Sequence, residues 1–155
     1  AQTSATTRDY INWVSETEGG SSYSLGDVGS GIGGLLTKIP AAINVTLFRP
    51  YPWEARKPIV AITALEALLF LFLTLKIIYT VGLKKIWATI SADPTIQFCL
   101  VFTLIFAFAV GISSYNFGTL SRYKIPCMPF YAVALIVIYY KNKRPHQQLI
   151  PFLKF

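Results

Sequence analysis

From residue 59 to residue 79 the chain carries two charges, Glu66 and Lys76. At helical rise this stretch spans about 31 Å, matching the roughly 30 Å hydrocarbon core of a bilayer. Two further runs share its character, residues 95–112 and residues 127–140, the last reaching only about 21 Å if helical. A soluble domain spreads its apolar residues to build one core. Here they gather in three runs with almost no charge inside them, the pattern of bilayer-spanning helices. Charged residues make up 14% of the chain and apolar ones 54%, against about 25% charge in ordinary soluble domains. The net charge of +7 sits mostly just outside the runs. That placement fits anchoring at lipid headgroups and argues against a nucleic-acid partner. The expected fold is an all-α integral membrane protein with three transmembrane helices and an N-terminal interfacial or re-entrant amphipathic helix.

Residues 1–34 are polar, rich in Ser, Thr and Gly, and read as an extramembrane segment with one short helix near residues 7–16. The spacing Gly29-x-Gly31-x-x-Gly34 matches a dinucleotide fingerprint in letters alone. It lacks a preceding strand and a βαβ context, so it implies no cofactor. Residues 35–58 hold the interfacial helix and a loop. Ile32, Leu35, Leu36, Ile39 and Ile43 fall at helical spacing, and Pro40 kinks that helix or ends its first part. Residues 59–140 form the three-helix membrane unit, and residues 80–93 read as a short linker. Asp93 or Ser91 before Pro94 is a start signal for the second span. Residues 141–155 are a basic tail. The chain opens Ala1-Gln2-Thr3-Ser4 without Met, which reads as one end of a longer protein. Cys99 and Cys127 open consecutive antiparallel runs, about 20 Å apart, beyond disulfide reach. They read as buried apolar thiols. His146 is the sole histidine and has no Cys or His near it, so no metal site is expected.

Two connectors are richer than a turn requires. Arg49-Pro50-Tyr51-Pro52-Trp53-Glu54 continues through Arg56, Lys57 and Pro58, where prolines force an extended path and aromatics suit the headgroup level. Residues 115–126 place Arg122, Tyr123 and Lys124 between the second and third runs. An Arg fork binds two phosphate oxygens at once, so Arg49 and Arg122 are candidate phosphate ligands. Lys124 would assist, and Glu54 would orient Arg49 or Arg56. Two spans separate the connectors, which puts both on one membrane face. Lys and Arg near the membrane tie in number between faces, so the positive-inside rule gives no orientation. The solvated cluster Lys141-Asn142-Lys143-Arg144 reads as cytoplasmic, which leaves the arginine loops outside. Glu66 lies roughly 10 Å deep, where a carboxylate needs a partner. Arg122 is the expected one, with Thr119 or Tyr115 as substitutes.

The series Arg122-Tyr123-x-x-Pro126-x-x-Pro129 resembles the Arg-Tyr-x-x-Pro-x-x-Pro element of polytopic glycosyltransferases of the GT-C type. The stretch Leu47 to Glu54 and the turn Asn116-Phe117-Gly118-Thr119 are similar to bacterial membrane proteins, some encoded near envelope-polysaccharide genes. The resemblance implies a bacterial inner-membrane protein, here a C-terminal part, whose ligand is a polyprenyl-phosphate-linked sugar at the outer face. Tyr123 would then support the site. The catalytic acid of those enzymes lies in an early loop, and no residue here corresponds to it. The rival expectation is a non-catalytic subunit of a larger membrane complex, docking through a face of Phe98, Phe102, Ile105 and Phe106.

Overall fold

The computed structural model describes residues 36–55, 58–114 and 116–143. Expectations for residues 1–35, the short helix and the glycine motif among them, lie outside the described residues, as do those for Arg56, Lys57, Tyr115, Arg144 and His146. Among the described residues six helices follow one another: α1 (Ile39–Phe48), α2 (Pro58–Val81), α3 (Leu83–Ala92), α4 (Pro94–Ser113), α5 (Phe117–Tyr123) and α6 (Met128–Asn142). A 3-10 turn, Pro52–Glu54, stands between α1 and α2.

Proline sets most of the starts. Pro40, Pro52, Pro58, Pro94 and Pro129 each occupy one of the first two positions of their element, where the missing N–H costs no hydrogen bond. Asp93 caps α4 by accepting from the Thr95 N–H at 2.8 Å, as its place before Pro94 predicts. Asn116 caps α5 by accepting from the Gly118 N–H at 2.7 Å.

The protein is membrane-embedded and all-α. Val60–Val81 and Pro94–Ser113 are long and apolar enough to cross a bilayer, and α5 with α6 passes the same test as a pair bent by 65°, a third span when the pair is taken as one. Ile62, Leu65, Leu69, Phe72 and Leu75 are exposed along α2, and Phe98, Val101 and Ile105 along α4. Soluble monomers do not carry apolar patches of that extent; hydrocarbon covers them without cost. Exposed Trp53 and Tyr123 mark one end of the bundle, and Tyr79, Trp87 and Tyr140 the other. Such aromatic girdles form at membrane–water boundaries.

Helices in lipid associate through close packing and interhelical hydrogen bonds rather than hydrophobic burial. The most extensive pairing is α1 on α4. Its inner face is Ala42, Val45 and Thr46, with Ile39 and Ile43 not fully buried. The Thr46 hydroxyl lies 2.8 Å from the Ala107 carbonyl and 3.0 Å from that of Ala42. Between α2 and α6, the Thr74 and Tyr131 hydroxyls share a 2.6 Å hydrogen bond, with Tyr131 stacked on Phe70. The main core runs through Leu47, Ile77, Ile96, Ala107, Tyr131, Leu135 and Ile138. A smaller one, of Val45, Val60, Val110, Phe117 and Leu120, lies beneath the arginine loops. Both cysteines are buried and free.

Two connectors differ from the sequence reading. Residues 80–93 are not a plain linker: Gly82, at φ +82°, breaks the backbone after α2, and α3 follows at once. Positive φ is open to Gly because it lacks Cβ. The connector before the third span likewise contains a helix, α5, set at 65° to α6.

Candidate functional site

The two arginine-bearing connectors meet. Arg49 caps the C-terminus of α1, its guanidinium carbon 5.2 Å from the centre of the Phe117 ring in α5. Tyr51 flanks the same cation at 5.9 Å and stacks on Trp53 at 4.8 Å. Cation–π contacts of this kind contribute about 0.5–2 kcal/mol, more as water is excluded.

Arg49 is already engaged. Its Nε donates to Glu54 Oε2 at 3.1 Å, and its Nη2 pairs with Oε1 of the same carboxylate. Glu54 also accepts from the Tyr51 N–H at 2.9 Å. The reason is local: the 3-10 turn folds Glu54 back over residues 49–51. Glu54 thus orients Arg49, as its position in the sequence suggests. Burial alone pushes the Glu54 carboxyl up. The hydrogen bonds from Arg49 and Tyr51, with the Arg49 charge, outweigh that and hold it below its ordinary 4.5.

A depressed carboxyl pKa contributes stability above the ordinary value, lost as pH falls through the lowered folded value. Glu54→Gln is therefore expected to cost about 1.5 kcal/mol at pH 7, the low end for a charge-assisted hydrogen bond. That gap should begin to narrow as pH falls below about 4.5 and close only below the lowered folded value, where the native carboxyl protonates as well. Paired unfolding curves of both proteins at pH 7 and below pH 4 test this. A gap unchanged with pH would show that the carboxylate charge plays no part.

Arg122 behaves oppositely. It is exposed in the last turn of α5 and has no ion pair or side-chain hydrogen bond among the described residues. Tyr123 and Ile125 beside it are more than half exposed. A free guanidinium flanked by an aromatic and an aliphatic side chain at the membrane boundary can take phosphate oxygens in its fork.

Lys124 does not share that surface. It is 1% exposed, turned inward between α5 and α6, with Nζ 3.7 Å from Glu66 Oε2. The partner of Glu66 is thus Lys124 and not the expected Arg122. Residues two apart at the end of a helix point about 200° apart, and here the lysine faces α2 while the arginine faces out. The Nζ has no hydrogen-bond partner among the described residues. Glu66 itself is 44% exposed, on the lipid-facing side of α2. Sequence reasoning finds the need for a partner and the right connector. The choice between neighbours depends on the rotation of a seven-residue helix, which no sequence signal encodes.

The surface therefore holds one free cation, Arg122, and one neutralised cation, Arg49, among its described residues. No group of three metal-ligating side chains occurs among the described residues. The arrangement suits binding and orientation of an anion. No protein-family model, curated protein or solved structure matches this chain.

Proposed function

We propose that this chain is part of a bacterial inner-membrane protein that handles a lipid-linked anionic glycan in envelope-polysaccharide assembly. Arg122 meets the carrier phosphate at the outer face. The observation that carries the reading is Arg122 itself: a guanidinium without a counter-ion among the described residues, beside Tyr123, at the 65° bend of a membrane helix pair. The motif resemblance supplies the class of ligand, a polyprenyl-phosphate-linked sugar. Arg49, clamped by Glu54 and set over Phe117, forms the wall of the site and turns toward phosphate only if Glu54 releases it. Lys124 acts from beneath by tying the floor to α2. The chemistry of glycosyl transfer would come from elsewhere in a longer protein.

Binding of a short polyprenyl phosphate to the purified protein, compared with the polyprenol of equal length, tests this. The phosphate is expected to bind more tightly. Arg122→Ala should reduce that preference by roughly ten- to a hundredfold, from the loss of a charge-assisted hydrogen bond. Arg122→Lys should restore part of it, since the charge returns without the fork. Equal binding of phosphate and alcohol would overturn the reading.

A second reading, a non-catalytic subunit of a larger complex, has its own support. Glu66 stands on an otherwise apolar exposed face with Ile62, Leu65 and Leu69. A carboxylate on such a face fits a polar partner helix better than lipid.

A further inference from the structure

The opposite end of the bundle carries a feature that the phosphate site leaves unused. Leu83, Ile86, Trp87 and Ile90 recur at the i, i+3, i+4, i+7 spacing of one helical face. Ile86 and Ile90 pack on the core, while Leu83 and Trp87 remain 69% and 73% exposed. Trp87 joins Tyr79 and Tyr140 in the aromatic girdle of that end. An amphipathic helix with this division lies in the plane of the interface, apolar side down.

The other side of α3 is basic. Lys84 and Lys85 are exposed and have no ion pair or side-chain hydrogen bond among the described residues. The end of α6 adds Lys141, and Lys143 follows it. Lys141 reaches Asp93 at 2.5 Å, and Lys143 lies 4.5 Å over the Tyr140 ring. Between α3 and α6 runs an open groove of about 290 Å³, lined by Lys85, Ala88, Thr89, Ala92, Lys141 and Asn142. The two alanines leave the room. Asn142 donates to Thr89 Oγ1 at 2.8 Å and fixes the groove's width. Among the described residues these lysines face one carboxylate, Asp93, which Lys141 and the Thr95 N–H hold below its ordinary pKa and so keep charged. The surface remains net positive at every physiological pH.

We propose that α3 and the C-terminal end of α6 form a binding surface for anionic phospholipid, with the headgroup phosphate in the groove between Lys85 and Lys141. Charge complementarity selects this occupant. The girdle places the lysines at headgroup depth, and an anionic leaflet supplies the opposite charge there. Because the surface lies at the far end of the bundle from Arg122, it is independent of the glycan-carrier reading.

The test uses the full chain in a zwitterionic detergent, titrated with short-chain phosphatidylglycerol or phosphatidylcholine and read by native mass spectrometry. Phosphatidylglycerol is expected to be retained preferentially. Lys84→Gln combined with Lys85→Gln should weaken that binding about 30-fold, from roughly fivefold per lysine near an anionic surface, and leave phosphatidylcholine unaffected. Both side chains are exposed, so the fold should survive; unchanged helicity checks this. On the unsubstituted protein, raised salt should weaken phosphatidylglycerol binding through screening. Inorganic phosphate at equal concentration should not compete, which distinguishes a lipid surface from a free-phosphate site. Equal retention of both lipids, salt-independent binding, full competition by inorganic phosphate, or preference surviving the double substitution would each overturn the proposal.

Discussion

Replacing Lys124 by Met is expected to destabilise the protein by about 1–3 kcal/mol, less than the range for a fully buried ion pair, because the carboxylate left behind on Glu66 is 44% exposed. Glu66→Leu should be similarly harmful, because it leaves Lys124, 1% exposed, with no counter-charge among the described residues. The double substitution, Glu66→Leu with Lys124→Met, should be milder than either single change. Desolvating two charges roughly cancels their attraction, so an apolar pair of similar volume can replace them at little cost. The separation of 3.7 Å, with no hydrogen bond from Nζ, makes the pair coulombic rather than directional. Such a contact is lost with the charge and is not recovered by Glu66→Gln. Equilibrium unfolding of the four proteins in one detergent forms a double-mutant cycle. If the two single effects simply add, the pair is not coupled and the carboxylate has another partner.

The same pair shows where sequence stops informing structure. The apolar helix bounds are legible because composition alone decides them: residues 59–79, 95–112 and 127–140 against Pro58–Val81, Pro94–Ser113 and Met128–Asn142; that α5 joins α6 in one bent pair is not legible. Glu54 acting on Arg49 is legible because the residues are five apart across a proline turn. The helix α3 escapes a sequence reading, though its stripe of Leu83, Ile86, Trp87 and Ile90 stands in the chain. Gly82 and the lysine pair signal a turn, and a helix of 10 residues offers few repeats to weigh against that. That Lys124 and not Arg122 reaches Glu66 is beyond reach, since it depends on how α5 is rotated against α2. The burial of Ala42, Val45 and Thr46 on α4 is equally hidden. Small residues pack closely only against a known neighbour, and a hydrophobicity pattern gives them little weight.

That neighbour makes Gly111 the most sensitive point between α1 and α4. Gly111→Ala is expected to destabilise the protein by about 1–3 kcal/mol, the usual cost of overpacking. A methyl placed there would overlap the Ala42 carbonyl oxygen and approach the carbonyl carbon at 2.8 Å and Cα at 2.9 Å. These are backbone atoms and cannot rotate away, so α1 as a whole must retreat. Helix propensity works the other way, since Ala within a helix is favoured over Gly by about 0.5–1 kcal/mol. The clash outweighs that preference. Retreat of α1 also stretches the contact of Thr46 with the Ala107 carbonyl, now 2.8 Å, and interhelical hydrogen bonds in membranes contribute about 0.6 kcal/mol on average. Gly118→Ala is the matched control: its methyl meets only the Asn116 side-chain oxygen, at 3.3 Å. It should cost well under the Gly111 change when both are unfolded in the same detergent. The effect should reach the loops too, because α1 ends directly at Arg49. A displaced α1 draws that guanidinium off the Phe117 ring, so Gly111→Ala should also loosen residues 49–55, read as faster proteolysis there. A Gly111→Ala protein as stable as its parent would mean that α1 and α4 do not approach this closely in the membrane.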